Sequence, residues 1–250
     1  RNEMGECAKR LALASGYQNA GTVEFMVDDK NNFYFLEVNT RLQVEHPITE
    51  LRTDKDLVQE QLRIASGEKL SFTQEDIEFE GHSIECRICA EDPDNNFLPS
   101  TGRIDYINRI LGNGVREDTG FEQGNEISIY YDSMISKLIS YGANREIAIN
   151  KMKRALQDYK VHGVKTNINF LLSLLDSKEF IKGNYNTQFV ENVFLPNLSK
   201  NKIKINHDLE AVLSLAAILY KNKQTKSIQQ IKTSYNNKSK WVNKRTDSYR

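Results

Sequence analysis

Long apolar runs are absent from this 250-residue chain. No stretch reaches the length of a membrane-spanning helix, so no membrane partner is expected. Net charge is absent too. The 34 Lys plus Arg balance 34 Asp plus Glu, which removes the global basic field that nucleic-acid binding calls for. Lysines crowd the last fifty residues, a distribution that reads either as a solvated surface or as a local basic patch. Cysteine is scarce: Cys7, Cys86 and Cys89 are the only three. Cys86 and Cys89 have CxxC spacing, which invites a zinc or redox reading. The run Ser83 to Cys89 reads instead as a strand, where positions three apart face opposite ways, and no second CxxC completes four ligands. Few cysteines fit a reducing compartment. There is no internal repeat. The chain begins at Arg1, inside a helical pattern and without a leader, so its true N-terminus is expected to lie upstream.

Hydrophobic residues are 39% and charged residues 27%, ordinary for a globular protein with one large core or two smaller ones. Met4, Cys7, Ala8, Leu11 and Ala14 recur at helical spacing over 2–15, and Gly16 ends the run. Thr22 to Val27 and Phe33 to Val38 read as a hairpin turning at 28–32. A helix is expected over Asp56 to Ala65, with Leu57, Val58, Leu62 and Ala65 inward. A polar connection over 68–80 leads to a second domain opening near Gly81. Strands are expected there at 82–89, 103–110, 114–116, 127–130 and 137–141. Helices follow at 145–159, built on Ile147, Met152, Ala155, Leu156 and Tyr159, and at 167–175. Strands followed by helices imply an α+β fold. Past Pro196 the composition shifts. A helix is expected over about 208–221, with a strand starting near Trp241. The expected domains are therefore 1–80, 81–195 and 196–250.

The chemistry gathers in one hairpin and the run after it. Glu37 and Asn39 lie two apart on a strand and share a face, and Glu24 on the neighbouring strand can approach them. Oxygen ligands from these three suit Mg2+ or Mn2+ bridged to phosphates; equally, they are a polar hairpin face in water. Tyr34, Leu36 and Val38 form the strand's other face, while Phe33 and Phe35 share the parity of the acidic residues. A strand apolar on both sides is expected to be central and covered. Arg41 offers a rigid fork for a planar anion such as bicarbonate, and Glu45 can accept a proton beside it. His46 is either a base or a satisfied structural histidine. Arg87 and Glu85 read, on bare sequence, as an ion pair.

These residues sit in long motifs. Gly21-Thr22-Val23-Glu24-Phe25 is followed by Phe33-Tyr34-Phe35-Leu36-Glu37-Val38-Asn39-Thr40-Arg41-Leu42-Gln43-Val44-Glu45-His46-Pro47-Ile48-Thr49-Glu50. Gly81-His82-Ser83-Ile84-Glu85-Cys86-Arg87-Ile88-Cys89-Ala90-Glu91-Asp92-Pro93 comes later. The sequence resembles the biotin carboxylase component of biotin-dependent acyl-CoA carboxylases, nearest within that family to the propionyl-CoA type of alpha subunit. The resemblance implies the last part of an ATP-grasp domain followed by a biotin carboxylase C-terminal domain. It implies an ATP-dependent ligase that uses bicarbonate to carboxylate biotin held on a carrier domain. By resemblance, Glu24, Glu37 and Asn39 serve the metal–ATP site and Met26 packs on adenine. Arg41 stabilises substrate, Gln43 and Val44 hold bicarbonate, and Glu45 is the general base. Arg87 meets bicarbonate and the biotin ureido oxygen. Thr187 and Gln188, in Gly183 to Phe189, match a segment that closes over the nucleotide.

The implied partners are the biotin carboxyl carrier domain, a carboxyltransferase beta subunit and further copies in an oligomer. The implied location is the mitochondrial matrix in a eukaryote and the cytoplasm in a bacterium. Relatives acting on acetyl-CoA, 3-methylcrotonyl-CoA or pyruvate fit the same motifs, and a non-catalytic binding module is the reading from another class. One departure stands out: the family's usual TGxDL is Thr53-Asp54-Lys55-Asp56-Leu57 here. Asp54 either tolerates a positive φ or caps the next helix. The resemblance covers residues 1–195 and only the C-terminal part of such an enzyme, without the glycine-rich lid, the nucleotide-binding lysines or the carrier lysine. The chain by itself is therefore expected to be inactive.

Overall fold

The computed structural model describes residues 1–110, 112–201 and 212–221. One compact unit spans Arg1–Thr187 and a second begins at Gln188. In the first unit, α1 (Asn2–Ser15) ends where Gly16 turns into the left-handed region, its N–H bonded to the Ala12 and Leu13 carbonyls. β1 (Thr22–Val27) and β2 (Phe33–Asn39) pair antiparallel. Asp28 builds their turn: its Oδ1 accepts from the Lys30 and Asn32 amides at 2.9 and 2.8 Å.

β2 was expected to be central and covered, and it is not. It is one of only two strands in its sheet, and Tyr34, Phe35, Leu36 and Val38 are all exposed. Among the described residues no third strand pairs with β2. Strict alternation also fails. Glu24 pairs with Glu37 but Phe25 pairs with Phe35, so Leu36 is an extra residue taken up as a bulge.

α2 (His46–Thr53), absent from the expectations, starts with Pro47 in its first turn, where a missing N–H costs nothing. Asp54 ends it at φ 54°, its N–H bonded to the Glu50 carbonyl at 2.9 Å. Asp56, not Asp54, is the N-cap of α3 (Leu57–Ala65), accepting from Gln59 N. The inward face of α3 also differs from expectation. Val58, Leu62 and Ala65 are exposed and Glu60 is buried. The Glu60 carboxylate accepts from Ser71 N at 3.0 Å and Ser71 Oγ at 2.6 Å, which turns the helix onto the 68–72 segment.

The core lies in the second half of this unit. β3 (His82–Cys89) is followed by the short strands β4 (Glu91–Asp92), β5 (Leu98–Pro99), β6 (Gly102–Arg103) and β7 (Tyr106–Asn108). Then come β8 (Val115–Thr119), β9 (Glu126–Ile127), β10 (Met134–Gly142), α4 (Arg145–Asp158), β11 (Lys160–His162), α5 (Ile168–Leu175) and α6 (Lys178–Lys182). β10 is the centre of an antiparallel sheet ordered β3-β10-β8. One face of β3 and β10 sends Ile84, Cys86, Ile88 and Leu138 against Ala148, Ile149, Met152, Ala155 and Leu156 of α4. Ile147, expected in this face, is exposed, and Ala148 and Ile149 take its place. The expected strands at 103–110 and 127–130 are shorter and broken, because β6, β7 and β9 form only two-stranded ladders. Helices packed on an antiparallel sheet make the fold α+β, as expected.

In the second unit a π-helical turn, Val190–Phe194, runs into α7 (Leu195–Asn201), and Phe189 and Phe194 are buried. Residues 212–221 are helical and exposed. The start of that expected helix and the strand at Trp241 lie outside the described residues.

Candidate active site

Two clusters form where β2 ends and α2 begins. In the first, the β1–β2 register sets Glu24 opposite Glu37. Asn39 Nδ2 donates to Glu24 Oε1 at 2.7 Å and to Glu37 Oε1 at 3.2 Å. Gln43 Nε2 donates to the same Glu24 oxygen at 2.8 Å. Arg41 Nη2 donates to Asn39 Oδ1 at 3.2 Å. Two carboxylates thus converge on one amide, and only neutral donors and one guanidinium offset them. The two carboxylates are hard oxygen donors of the kind a divalent cation such as Mg2+ or Mn2+ takes, while Asn39 turns its amide nitrogen to them and its oxygen to Arg41.

The second cluster crosses 42 residues of sequence. Arg87 Nη2 donates to Glu45 Oε2 at 2.8 Å, and both side chains are about half exposed. Glu45 occupies the N-cap position of α2, and Arg87 stands on the β3 face opposite the core. Behind them runs a chain of charges that the sequence reading missed. Lys137 of β10 donates to the Val44 carbonyl at 2.7 Å and lies 3.4 Å from Asp118 Oδ2. Arg116 grips Asp118 with two donors, Nε at 2.7 Å and Nη2 at 3.0 Å. Its Nη1 reaches the buried Glu50 at 2.6 Å, and Glu50 Oε1 accepts from Leu57 N. Burial raises the Asp118 carboxyl, but Arg116 and then Lys137 outweigh it and hold that carboxyl below its usual value. A lysine flanked by Ile135, Leu138 and Ile139 was the available signal, since a charge in such a strand needs a partner.

Glu85, two residues from Arg87, is pushed up to about 7, chiefly by burial. His46 Nδ1 lies 2.9 Å from the Gln43 carbonyl, and its Nε2 lies 3.9 Å from Glu50. Of its two readings, that is the satisfied structural histidine. Cys86 turns into the core while Cys89 has the opposite parity on β3, so the two do not face a shared ligand, and burial pushes their thiols up, to about 12 and about 11.

Met26 is exposed on β1. Thr187 is exposed at the end of the first unit and makes no hydrogen bond to either cluster among the described residues. Gln188 opens the second unit, where its Oε1 accepts from Asn192 Nδ2 at 3.3 Å. A cavity of about 410 Å³ between α1 and the hairpin, lined by Leu11, Tyr17, Val23 and Val38, contains none of the clustered charges.

Family models match both halves of this arrangement. Residues 1–73 match the carbamoyl-phosphate synthase L chain ATP-binding domain, and residues 85–192 match the biotin carboxylase C-terminal domain. These residues form a biotin-carboxylase-type domain. It is 50% identical over 192 residues to biotin carboxylase 1 of Bacillus subtilis, covering 76% of this chain and 43% of that protein. It is 48% identical over 222 residues to the mitochondrial propionyl-CoA carboxylase alpha chain of Sus scrofa, covering 88% and 30%. Among solved structures it is similar to the biotin carboxylase domain dimer of Hydrogenobacter thermophilus 2-oxoglutarate carboxylase, in complex with MgADP, ADP and bicarbonate. There the TM-score is 0.74 and the identity 46%, over 76% of this chain and 42% of that one. The chain therefore spans less than half the length of these biotin-carboxylase-type relatives.

Proposed function

We propose that this chain is part of an enzyme that uses ATP and bicarbonate to carboxylate biotin carried on a separate domain. The observation that carries the reading is the Arg87–Glu45 pair at 2.8 Å, which joins the run after β2 to the β3 strand. Glu45 accepts the bicarbonate proton, and Arg87 is placed to stabilise the negative charge that develops on the ureido oxygen. Arg41 presents a planar fork to bicarbonate. Gln43 and the Val44 backbone complete its seat, and Lys137 holds that backbone by the Val44 carbonyl. Glu24, Glu37 and Asn39 would hold Mg2+ or Mn2+, which supplies charge neutralisation for the ATP phosphates. Met26, Thr187 and Gln188 belong to the nucleotide side of the reading.

The domains are read as 1–80, 81–195 and 196–250. The apolar faces of β2 and the short span against relatives both fit a site completed by further polypeptide. The finer reading is a propionyl-CoA carboxylase alpha subunit with a carboxyltransferase partner. It is favoured by the longer match to the Sus scrofa alpha chain, 88% of this chain against 76% for the Bacillus subtilis protein.

The test starts from the native polypeptide that contains this sequence, sized by intact mass. Bicarbonate- and biotin-dependent ADP release is then measured. Glu45→Gln should lower turnover about 10²–10⁴-fold, as expected for loss of a general base. Full activity in that variant, or no activity in a full-length native protein, refutes the reading. A carboxyltransferase partner that turns over acetyl-CoA in preference to propionyl-CoA refutes the finer one.

A further inference from the structure

β3 places Glu85 and Arg87 on one face, while Ile84, Cys86 and Ile88 turn into the core. The Glu85 side chain is 7% exposed and that of Arg87 50%. Glu85 Oε1 lies 3.8 Å from Arg87 Nε, outside hydrogen-bonding range, and Glu85 Oε2 is buried with no hydrogen-bond partner. Arg87 meanwhile gives Nη2 to Glu45 at 2.8 Å. One guanidinium thus stands between two carboxylates, bonded to the exposed one and held off from the buried one. A buried carboxylate with an empty oxygen needs either a proton or a cation.

We propose that Glu85 is a positioning residue that competes with Glu45 for Arg87: when protonated it leaves Arg87 on Glu45, and when ionised it draws Arg87 to itself and frees the Glu45 carboxylate. The displacement is small, since Nε needs about 1 Å to come within hydrogen-bonding distance. The other charges facing Glu85 are Lys137 of β10, Asp118 of β8 and Glu45. Burial opposes ionisation most strongly, Lys137 and Arg87 favour it, and Glu45 and Asp118 oppose it. Lys137 is no substitute partner, because its Nζ is held by the Val44 carbonyl and Asp118. The proton that Glu85 releases goes to bulk water. This inference deepens the proposed function, in which Glu45 is the base and must be released before it can act. The exchange itself involves no substrate.

The test is a carboxyl titration of the 250-residue chain labelled with 13C in glutamate, followed by NMR without nucleotide or bicarbonate. Glu85→Gln and Glu45→Gln assign the two signals. The expected result is a Glu85 midpoint near 7 and a second inflection of the Glu45 signal at the same midpoint, absent in Glu85→Gln. An ordinary midpoint for Glu85 overturns the proposal. So does a high Glu85 midpoint with no matching inflection at Glu45, because burial alone would then account for it. Should Glu85→Gln not fold, Arg87→Met must abolish the Glu45 inflection while Glu85 still titrates, and persistence of the inflection overturns the proposal. Loss of carboxylation in the native enzyme with this titration intact would count against the proposed function and not against the exchange.

Discussion

Replacing Arg116 with Met should destabilise the first unit by about 2–3 kcal/mol. Arg116 is the sole cation hydrogen-bonded to buried Glu50 among the described residues, at 2.6 Å, and it also grips Asp118 with two donors. A pair of charges about 4 Å apart contributes about 4 kcal/mol at an effective dielectric of 20, before desolvation. Removing one partner of a buried pair costs about 3–5 kcal/mol, because the other charge stays buried alone. The Arg116 side chain is 36% exposed, so water can reach part of the vacated site, which sets the lower figure. The assay is equilibrium unfolding in urea at pH 7, with Glu50→Gln and the double variant completing a thermodynamic cycle. The sign with pH follows from Asp118. Its folded pKa lies below the unfolded value of 3.8, so its contribution is present above 3.8 and is lost as pH falls through the folded value. The gap between wild type and Arg116→Met should therefore narrow in acid. A loss under about 0.5 kcal/mol at pH 7, or a coupling near zero, refutes the claim that the network bears on stability.

Lys137→Met should speed amide exchange around residues 42–46 about tenfold, the effect of losing roughly 1.4 kcal/mol, while α4 stays protected; equal protection in both proteins refutes the anchoring role. Glu85 sits above its ordinary carboxyl value, so the folded state holds more protons than the unfolded one between 4.5 and about 7. Stability should fall as pH rises through that window, and Glu85→Gln should flatten the slope in pH-dependent unfolding; an unchanged slope counts against a buried acid. Asp54→Gly should raise stability by about 0.5 kcal/mol and Asp54→Val lower it by about 1–2 kcal/mol, because the position is left-handed; similar midpoints for both would show that the backbone angle is not the determinant.

The hairpin, β3, β10, α1 and α4 were legible because local periodicity and turn chemistry set them. Asp28 and Gly16 mark their ends as residues that bond locally or accept unusual φ. Glu37 and Asn39 were legible as one strand face, but a register counted from the turn alone sets Glu24 opposite Leu36; the bulge that brings Glu24 to Glu37 carried no sequence signal. What escaped was long-range. Glu60 turned α3 because Ser71, eleven residues on, meets its carboxylate. The covering of β2 was misjudged because an apolar pattern states a need for partners without showing whether this chain supplies them. Glu45 could be named from its motif, but its pairing with Arg87, and the chain from Lys137 to Glu50 behind it, depends on how β3, β8 and β10 meet α2.

The grip of Lys137 on the Val44 carbonyl also bears on where this polypeptide can be divided. A cut near residue 80 looks natural from composition, yet the residues just before α2 take their shape from a strand beyond it. A chimera that exchanges the first eighty residues for those of a relative would inherit the motif and borrow its conformation from the recipient. Grafts of this kind should succeed or fail according to whether the recipient strand carries a lysine at the right register, however well the transplanted segment itself is matched.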